Sequence, residues 1–272
     1  MIKSLCRLLR WRLSLLNGVV ALGGFFLFPA AEIAMASAAV VPFGVTLLAA
    51  AGSAFNQVQE REIDRLMERT CDRPIPCGDL TPTGAFVIGG VCLLAGLLAL
   101  GLGGELLPML LGIAALAWYL GVYTPLKRRT PFALAAGGLC GALPPVIGWV
   151  CAGGEPTDYR VMLLAGCLYL WQIPHFWLLQ QRHAEDYRRA GLPLFNPRLK
   201  GISPFGLWQI WIIALVAGAL LLPAFGIINA PVAPWYTATV LLFGLLALSR
   251  RETLLSAGFY CFPLLVTVAL FF

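Results

Sequence analysis

The amino-acid sequence predicts an all-α, polytopic membrane protein. Of its 272 residues, 60% are hydrophobic and only 12% charged. The mean hydropathy is +0.83, and the charges are gathered into short clusters separated by long charge-free runs. A helix needs about 20 apolar residues to cross a hydrocarbon core about 30 Å thick. The charge-free runs therefore count as spans: residues 13–28, 33–55, 81–104, 106–126, 130–154, 161–181, 201–249 and 253–272. The seventh is long enough for two crossings, with Pro223, Pro231 and Pro234 marking its turn, because proline cannot continue a helix interior. Nine transmembrane helices are expected.

Orientation follows from Lys and Arg in short loops, which favour the cytoplasmic side. Lys3, Arg7, Arg10 and Arg12 precede helix 1, and further basic clusters follow helices 2, 4, 6 and 8. Of the 19 basic residues, only Arg160 falls on the opposite side, so the N-terminus is expected in the cytoplasm and the C-terminus outside. The formal charge of +6 is then mostly topological, and no nucleic-acid partner is read from it. The N-terminus also carries the elements of a cleavable signal peptide, with Ala34-Met35-Ala36 as the cleavage site. Retention of helix 1 is the expected outcome, because the arginines of the next loop need it to keep the alternation in phase.

The stretch from Asn56 to Arg73 is the densest run of charge in the chain. If helix 2 continues into it, Asn56, Glu60 and Asp64 fall at i, i+4 and i+8 on one face. Hard cations such as Mg²⁺ take few protein carboxylates and leave other positions to water and phosphate oxygens, so this ladder suits them. Arg65, Arg69 and Arg73, at the same period on a neighbouring face, are candidates to hold the phosphate. The plain alternative is a solvated helix end laced with i,i+4 ion pairs.

Two further clusters share the cytoplasmic side. Tyr123-Thr-Pro-Leu-Lys127-Arg128-Arg129 follows helix 4, and Arg182-His183-Ala-Glu185-Asp186 follows helix 6. The chain thus reads as one domain over 1–272, with catalytic loops at about 56–80, 123–131 and 182–200. Two acidic mouths with a basic turn between them describe a site for a metal-bound diphosphate. They lie four helices apart, which suggests two similar halves facing one cavity. Lys127 and Arg128 would neutralise charge on a departing diphosphate, or serve only as a topology anchor. Helix 5 carries Gly137, Gly138, Gly141, Pro144, Pro145 and Gly148, small residues for close packing and prolines for a bend. His175 follows Pro174 two turns before the end of helix 6. It either satisfies a backbone carbonyl freed by the proline or faces a cavity as a ligand or proton carrier. The eight cysteines contain no C-x-x-C pair, so no disulfide framework or covalent haem attachment is expected, and Cys71 and Cys77 should be free thiols.

These segments carry a resemblance. Asn56-x-x-x-Glu60-x-x-x-Asp64 is followed by Met67-Glu-Arg69-Thr-x-x-Arg73-Pro. Then come Tyr123-Thr-Pro-Leu-Lys127-Arg, Gly141-Ala-x-Pro-Pro-x-Ile-Gly-Trp149, Trp171-Gln-x-Pro-His175-Phe and Asp186-Tyr-x-x-Ala-Gly-x-Pro193. Together they resemble the UbiA-type intramembrane prenyltransferases, and the proline-glycine and His175 segments resemble the haem-modifying members. The similarity runs from about Arg10 to Pro193, with the last three helices alike mainly in hydropathy. It implies helices around a central cavity, in a multi-pass protein of the cell's inner (cytoplasmic) membrane. It further implies Mg²⁺-dependent use of farnesyl diphosphate and conversion of haem B to haem O, with haem A synthase or terminal-oxidase assembly as partners. By that resemblance the metal is held by Asn56, Glu60, Asp64 and Asp186, and the diphosphate by Arg69, Arg73, Lys127 and Arg128. Asp64, Lys127 and Asp186 carry catalysis, and His175 binds haem. Two places depart from the pattern: Glu60 stands where Asp is usual, and Glu185 and His183 stand where basic residues are usual. Two other functions share parts of the sequence. A quinone-precursor prenyltransferase would need the acid ladder but not His175, and a haem carrier would keep its ionisable groups at mid-membrane.

Overall fold

The computed structural model describes residues 1–29, 35–102, 106–195, 204–248 and 252–271, with backbone alone at 35–37, 204–205 and 252–257. Among the described residues the chain is helical, without strands. A short helix α1 (Ile2–Leu8) leads into α2 (Trp11–Leu27), and α3 (Met35–Leu66) and α4 (Pro82–Gly101) follow. Next come α5 (Leu106–Ala117), a π-helical turn at Trp118–Tyr123 and α6 (Thr124–Leu126), joined into one rod. The chain continues through α7 (Ala133–Cys151), α8 (Tyr159–Arg182), α9 (Ala184–Arg189), α10 (Pro204–Ala224), α11 (Ala233–Leu248) and α12 (Glu252–Ala269). Six helical stretches are long and apolar enough to cross a membrane: Ala38–Leu66, Pro82–Gly101, Leu106–Leu126, Ala133–Cys151, Tyr159–Arg182 and Gly206–Ala224. Trp11–Leu27, Ala233–Leu248 and Gly258–Ala269 are shorter apolar helices.

Local chemistry explains several boundaries. Thr81 caps α4 by accepting the Gly84 N–H at 3.0 Å, with Pro82 in the first turn, where its missing N–H costs nothing. Asp158 caps α8 through the Arg160 N–H at 2.9 Å. The long seventh run breaks between Ala224 and Ala233, at the expected prolines. The residues around the Ala34-Met35-Ala36 segment lie outside the described side chains.

The long helices pack against sequence neighbours, α1 packs against α3, and α12 returns to contact both α2 and α8. The closest approach is between α2 and α7. A Cβ at Gly24 would run into the Pro145 carbonyl, and one at Gly148 into the Ala21 carbonyl, so two backbones touch where the sequence is glycine. This is the close packing expected of small residues in membrane helices. A large cluster around Trp208, Ile212, Leu215, Tyr236, Phe259 and Phe262 joins α8, α10, α11 and α12.

The sequence reading did not anticipate α1. It lies across the end of α3 and the loop beyond it. Gln57 Nε2 donates to the Leu8 carbonyl at 2.6 Å, Ser53 Oγ to the same carbonyl at 2.9 Å, and Ser4 Oγ to Asp79 at 2.9 Å. Leu8 is fully buried against Ala54, Ile75 and Ala85. The helix thereby straps the 67–81 segment to the bundle.

Candidate active site

Helix α3 does run through the ladder, and it buries it. Asn56, Glu60 and Asp64 are 5%, 2% and 3% exposed. Buried carboxylates need partners, since an isolated charge in a poor dielectric is costly. Both have one. Arg73 Nη1 donates to Asp64 Oδ2 at 2.7 Å, and Lys127 Nζ lies 2.7 Å from Glu60. The cations arrive from different segments, Arg73 from the loop after α3 and Lys127 from the segment after α6. The site therefore exists only when three parts of the chain are folded together.

The π-helical turn sets the other wall. It lets Thr124 Oγ1 donate to the Tyr119 carbonyl at 2.8 Å while accepting from Asn56 Nδ2 at 3.2 Å. Such turns are rare and often mark functional positions. Tyr119 and Tyr123 stack with ring centroids 5.8 Å apart, and Tyr123 continues the stack onto Phe176 of α8 at 6.5 Å. Beside them lies a small pocket bounded by Tyr123, Lys127, Phe176, Gln180 and Tyr187, among others.

Asp186, in the short helix α9, meets the ladder indirectly. Its two carboxylate oxygens accept the backbone N–H groups of Glu68 at 2.9 Å and Arg69 at 3.2 Å, which fixes the turn that carries Arg69. Burial acts to raise its pKa, but these two amides, with Arg189 and His183, hold it below the ordinary carboxylate value. His183 is pushed down, first by burial and then by Arg69, so it is neutral at pH 7.

Several expectations are corrected by this geometry. Arg65, Arg69 and Arg73 do not share a helix face, because α3 ends at Leu66 and Met67–Thr70 forms a turn closed by the Thr70 N–H on the Met67 carbonyl. Arg65 is exposed and paired with Glu62 at 2.8 Å. Glu185 is exposed and paired with Arg188, pointing away from Asp186's partners. Arg128 is exposed and donates to the Gln59 carbonyl at 2.9 Å. Among the described residues no three His, Cys, Asp or Glu side chains converge on one point, because Glu60 and Asp64 hold cations while Asp186 holds amides. All eight cysteines are unbridged.

Arg69 is half-buried, and its Nε has no hydrogen-bond partner. Arg10 was read from sequence only as a topology anchor. It sits at φ 43°, the only non-glycine positive φ among the described residues, and its guanidinium comes within electrostatic reach of Tyr119, Arg73, Arg69 and Tyr123. Burial lowers its pKa, Tyr119 opposes, and Arg73 and Arg69 push further down. Two further arginines, Arg10 and Arg69, thus converge on a ladder already balanced by Arg73 and Lys127, an excess of positive charge that an anion would relieve. A hard divalent cation also fits. Two buried carboxylates stand one turn apart, and Asn56 has its amide nitrogen committed to Thr124, so its side-chain oxygen is the atom that would ligate.

His175 is placed elsewhere. Its ring stacks on Trp171 at 4.9 Å and 16° and meets Phe259 and Tyr260 of α12, whereas the adjacent Phe176 faces Tyr123.

The model of the UbiA prenyltransferase family matches residues 17–269. A protoheme IX farnesyltransferase of Geobacter sulfurreducens is 54% identical over 263 residues, 97% of this chain and 96% of that protein. One from Nitratidesulfovibrio vulgaris is 40% identical over 229 residues, 84% of this chain and 79% of that protein. Among solved structures, the apo form of a UbiA homolog from Aeropyrum pernix K1 has a TM-score of 0.76 at 21% identity, covering 96% of this chain and 98% of that one. A UbiA homolog from Archaeoglobus fulgidus bound to GPP and Mg²⁺ has a TM-score of 0.71 at 19% identity, covering 98% of both chains.

Proposed function

We propose that this chain, which belongs to the UbiA prenyltransferase family, transfers the farnesyl group of farnesyl diphosphate to a vinyl group of haem B, giving haem O. The observation that carries the donor half is the buried ladder with its converging cations, Lys127, Arg73, Arg69 and Arg10. The acceptor follows from the 54% identity to a protein named for that reaction. In line with this reading the protein is an integral, multi-pass protein of the inner membrane. Its six long and three shorter apolar helices make nine crossings of a single domain, with the N-terminus cytoplasmic and the C-terminus outside. Eighteen of the 19 basic residues agree with that orientation.

In this mechanism Asn56, Glu60 and Asp64 would hold Mg²⁺, with Asp186 as the acid of the second motif, and the metal would supply a concentrated positive charge for diphosphate oxygens. Lys127, Arg73 and Arg69 stabilise the charge that grows on the diphosphate as the farnesyl C1–O bond ionises, and Arg10 and the exposed Arg128 add to the field. Tyr119, Tyr123 and Phe176 line the path with ring faces, which favour the allylic cation and exclude water. The haem vinyl carbon then bonds to C1, and water adds to the remaining cationic carbon with loss of a proton. Asp186 acts on the chemistry by ordering the turn that presents Arg69. No protein nucleophile is needed. Expression in a host lacking its own haem O synthase, followed by chromatography of extracted haems, tests the whole reading. A haem O peak is expected, and haem B alone would overturn it.

His175 serves the acceptor side. Its imidazole makes no hydrogen bond to a backbone carbonyl among the described residues, so the alternative of satisfying the proline-freed carbonyl gains no support. Neutral imidazole is a common iron ligand. His175→Ala is expected to lose haem binding and product while farnesyl diphosphate affinity changes little. A Soret titration and a diphosphate-binding measurement on the same purified variant check this. Equal weakening of both substrates would make the residue merely structural.

A further inference from the structure

His175, Leu178, Leu179 and Arg182 lie on one face of α8, and with Tyr260 of α12 they bound a shallow surface groove. The face is continuous because seven residues make nearly two full turns. The groove is at the molecular surface: Tyr260 is 56% exposed, and Arg182 is exposed at the end of the spanning helix. It is separate from the pocket beside Lys127, which lies on the Phe176 and Gln180 side of the same helix. Resting on the haem-farnesylating reading above, we infer that this groove receives the porphyrin from the bilayer, with Arg182 binding a propionate carboxylate.

Three observations carry the inference. First, the groove joins an apolar floor to one imidazole and one guanidinium, the chemistry of a flat apolar ring with a metal at its centre and carboxylates on one edge. His175 is held by a parallel Trp171 ring and an edge-on Tyr260 ring, the latter 5.3 Å away at 79°. Second, the seven steps along the helix from His175 to Arg182 rise about 10 Å, of the order of the span from a haem iron to its propionate edge. Third, Arg182 is the one cation lining the groove, and it makes no ion pair to a carboxylate among the described residues. An arginine at a membrane interface, with its stem over apolar surface and its planar fork open, is suited to a carboxylate. The groove thus separates the two substrates, the diphosphate at the charged mouth and the porphyrin through the wall between α8 and α12. Arg182 is a specificity residue for the acceptor, touching no reacting atom.

The test is a Soret titration of purified wild-type, Arg182→Ala and Arg182→Lys proteins with ferric haem and with its propionate dimethyl ester. Wild-type protein is expected to bind haem about tenfold more tightly than the ester, the worth of one charge-assisted hydrogen bond. Arg182→Ala should weaken haem binding by about the same factor and lose the discrimination, while Arg182→Lys keeps most of it. Farnesyl diphosphate affinity should stay constant across the three proteins. If Arg182→Ala binds haem and ester as the wild type does, the groove assignment falls and the functional reading stands. If the wild type shows no Soret change at all, both fall. Should Arg182→Ala fail to fold, the comparison of haem with its ester on the wild type decides, equal affinities overturning the proposal.

Discussion

Asp64→Asn abolishes haem O formation while the protein still inserts and folds. Asp64 is 3% exposed and its carboxylate is held by Arg73 at 2.7 Å. Asparagine keeps the shape but removes the charge that both a divalent cation and Arg73 require. Losing one electrostatic element of this kind costs about 10²–10³-fold in turnover, and loss of a metal ligand adds to it. The fold should survive, because Thr70 Oγ1 is tied to the Asp64 backbone carbonyl at 3.1 Å, a bond the substitution does not touch. Single-turnover formation of haem O in proteoliposomes, beside a thermal melt in detergent, measures both. Ordinary turnover would remove the ladder from the site. The companion change Glu60→Asp keeps the charge facing Lys127 and restores the family's usual residue, so activity should be retained within a few-fold. Complete loss there would mean that the 2.7 Å contact to Lys127 tolerates no shortening of the side chain.

Lys127→Ala lowers kcat by about 10²-fold or more and raises KM for farnesyl diphosphate far less. Lys127 borders the pocket and reaches the ladder, and in the proposed mechanism its charge acts on the diphosphate as it departs. An effect confined to KM would reassign it to ground-state binding or to topology. Removing Lys127 also strands Glu60, which is 2% exposed, and an unpaired buried carboxylate is destabilising by about 3–5 kcal/mol. Adding Glu60→Gln to Lys127→Met separates the two effects, since the double variant should regain stability without regaining turnover.

The crossings were legible because a bilayer demands long apolar runs, and the ladder because a helix repeats every 3.6 residues. What failed was reading that period past Leu66. Nothing in Met67-Glu-Arg69-Thr announces a helix end, since the stop is made by the Asp186 carboxylate capping the Glu68 and Arg69 amides from more than a hundred residues away. Arg65 and Arg69 therefore looked equivalent and are not. Arg10 was hidden for a similar reason. Its charge was visible, but the left-handed backbone that turns it inward belongs to the packing of α1 against α3. The side taken by His175 was hidden too, because periodicity places His175 and Arg182 together without saying which neighbour they face. The π-helical turn at Trp118–Tyr123 has no residue pattern that distinguishes it from the helix around it.

With Lys127 closed on Glu60 and Arg73 on Asp64, the ladder is electrically neutral before any ligand arrives. Folding and insertion then leave no bare dianion inside the bundle, where such a charge would be costly. The same two cations that balance the carboxylates are the ones the proposed mechanism turns toward phosphate oxygens.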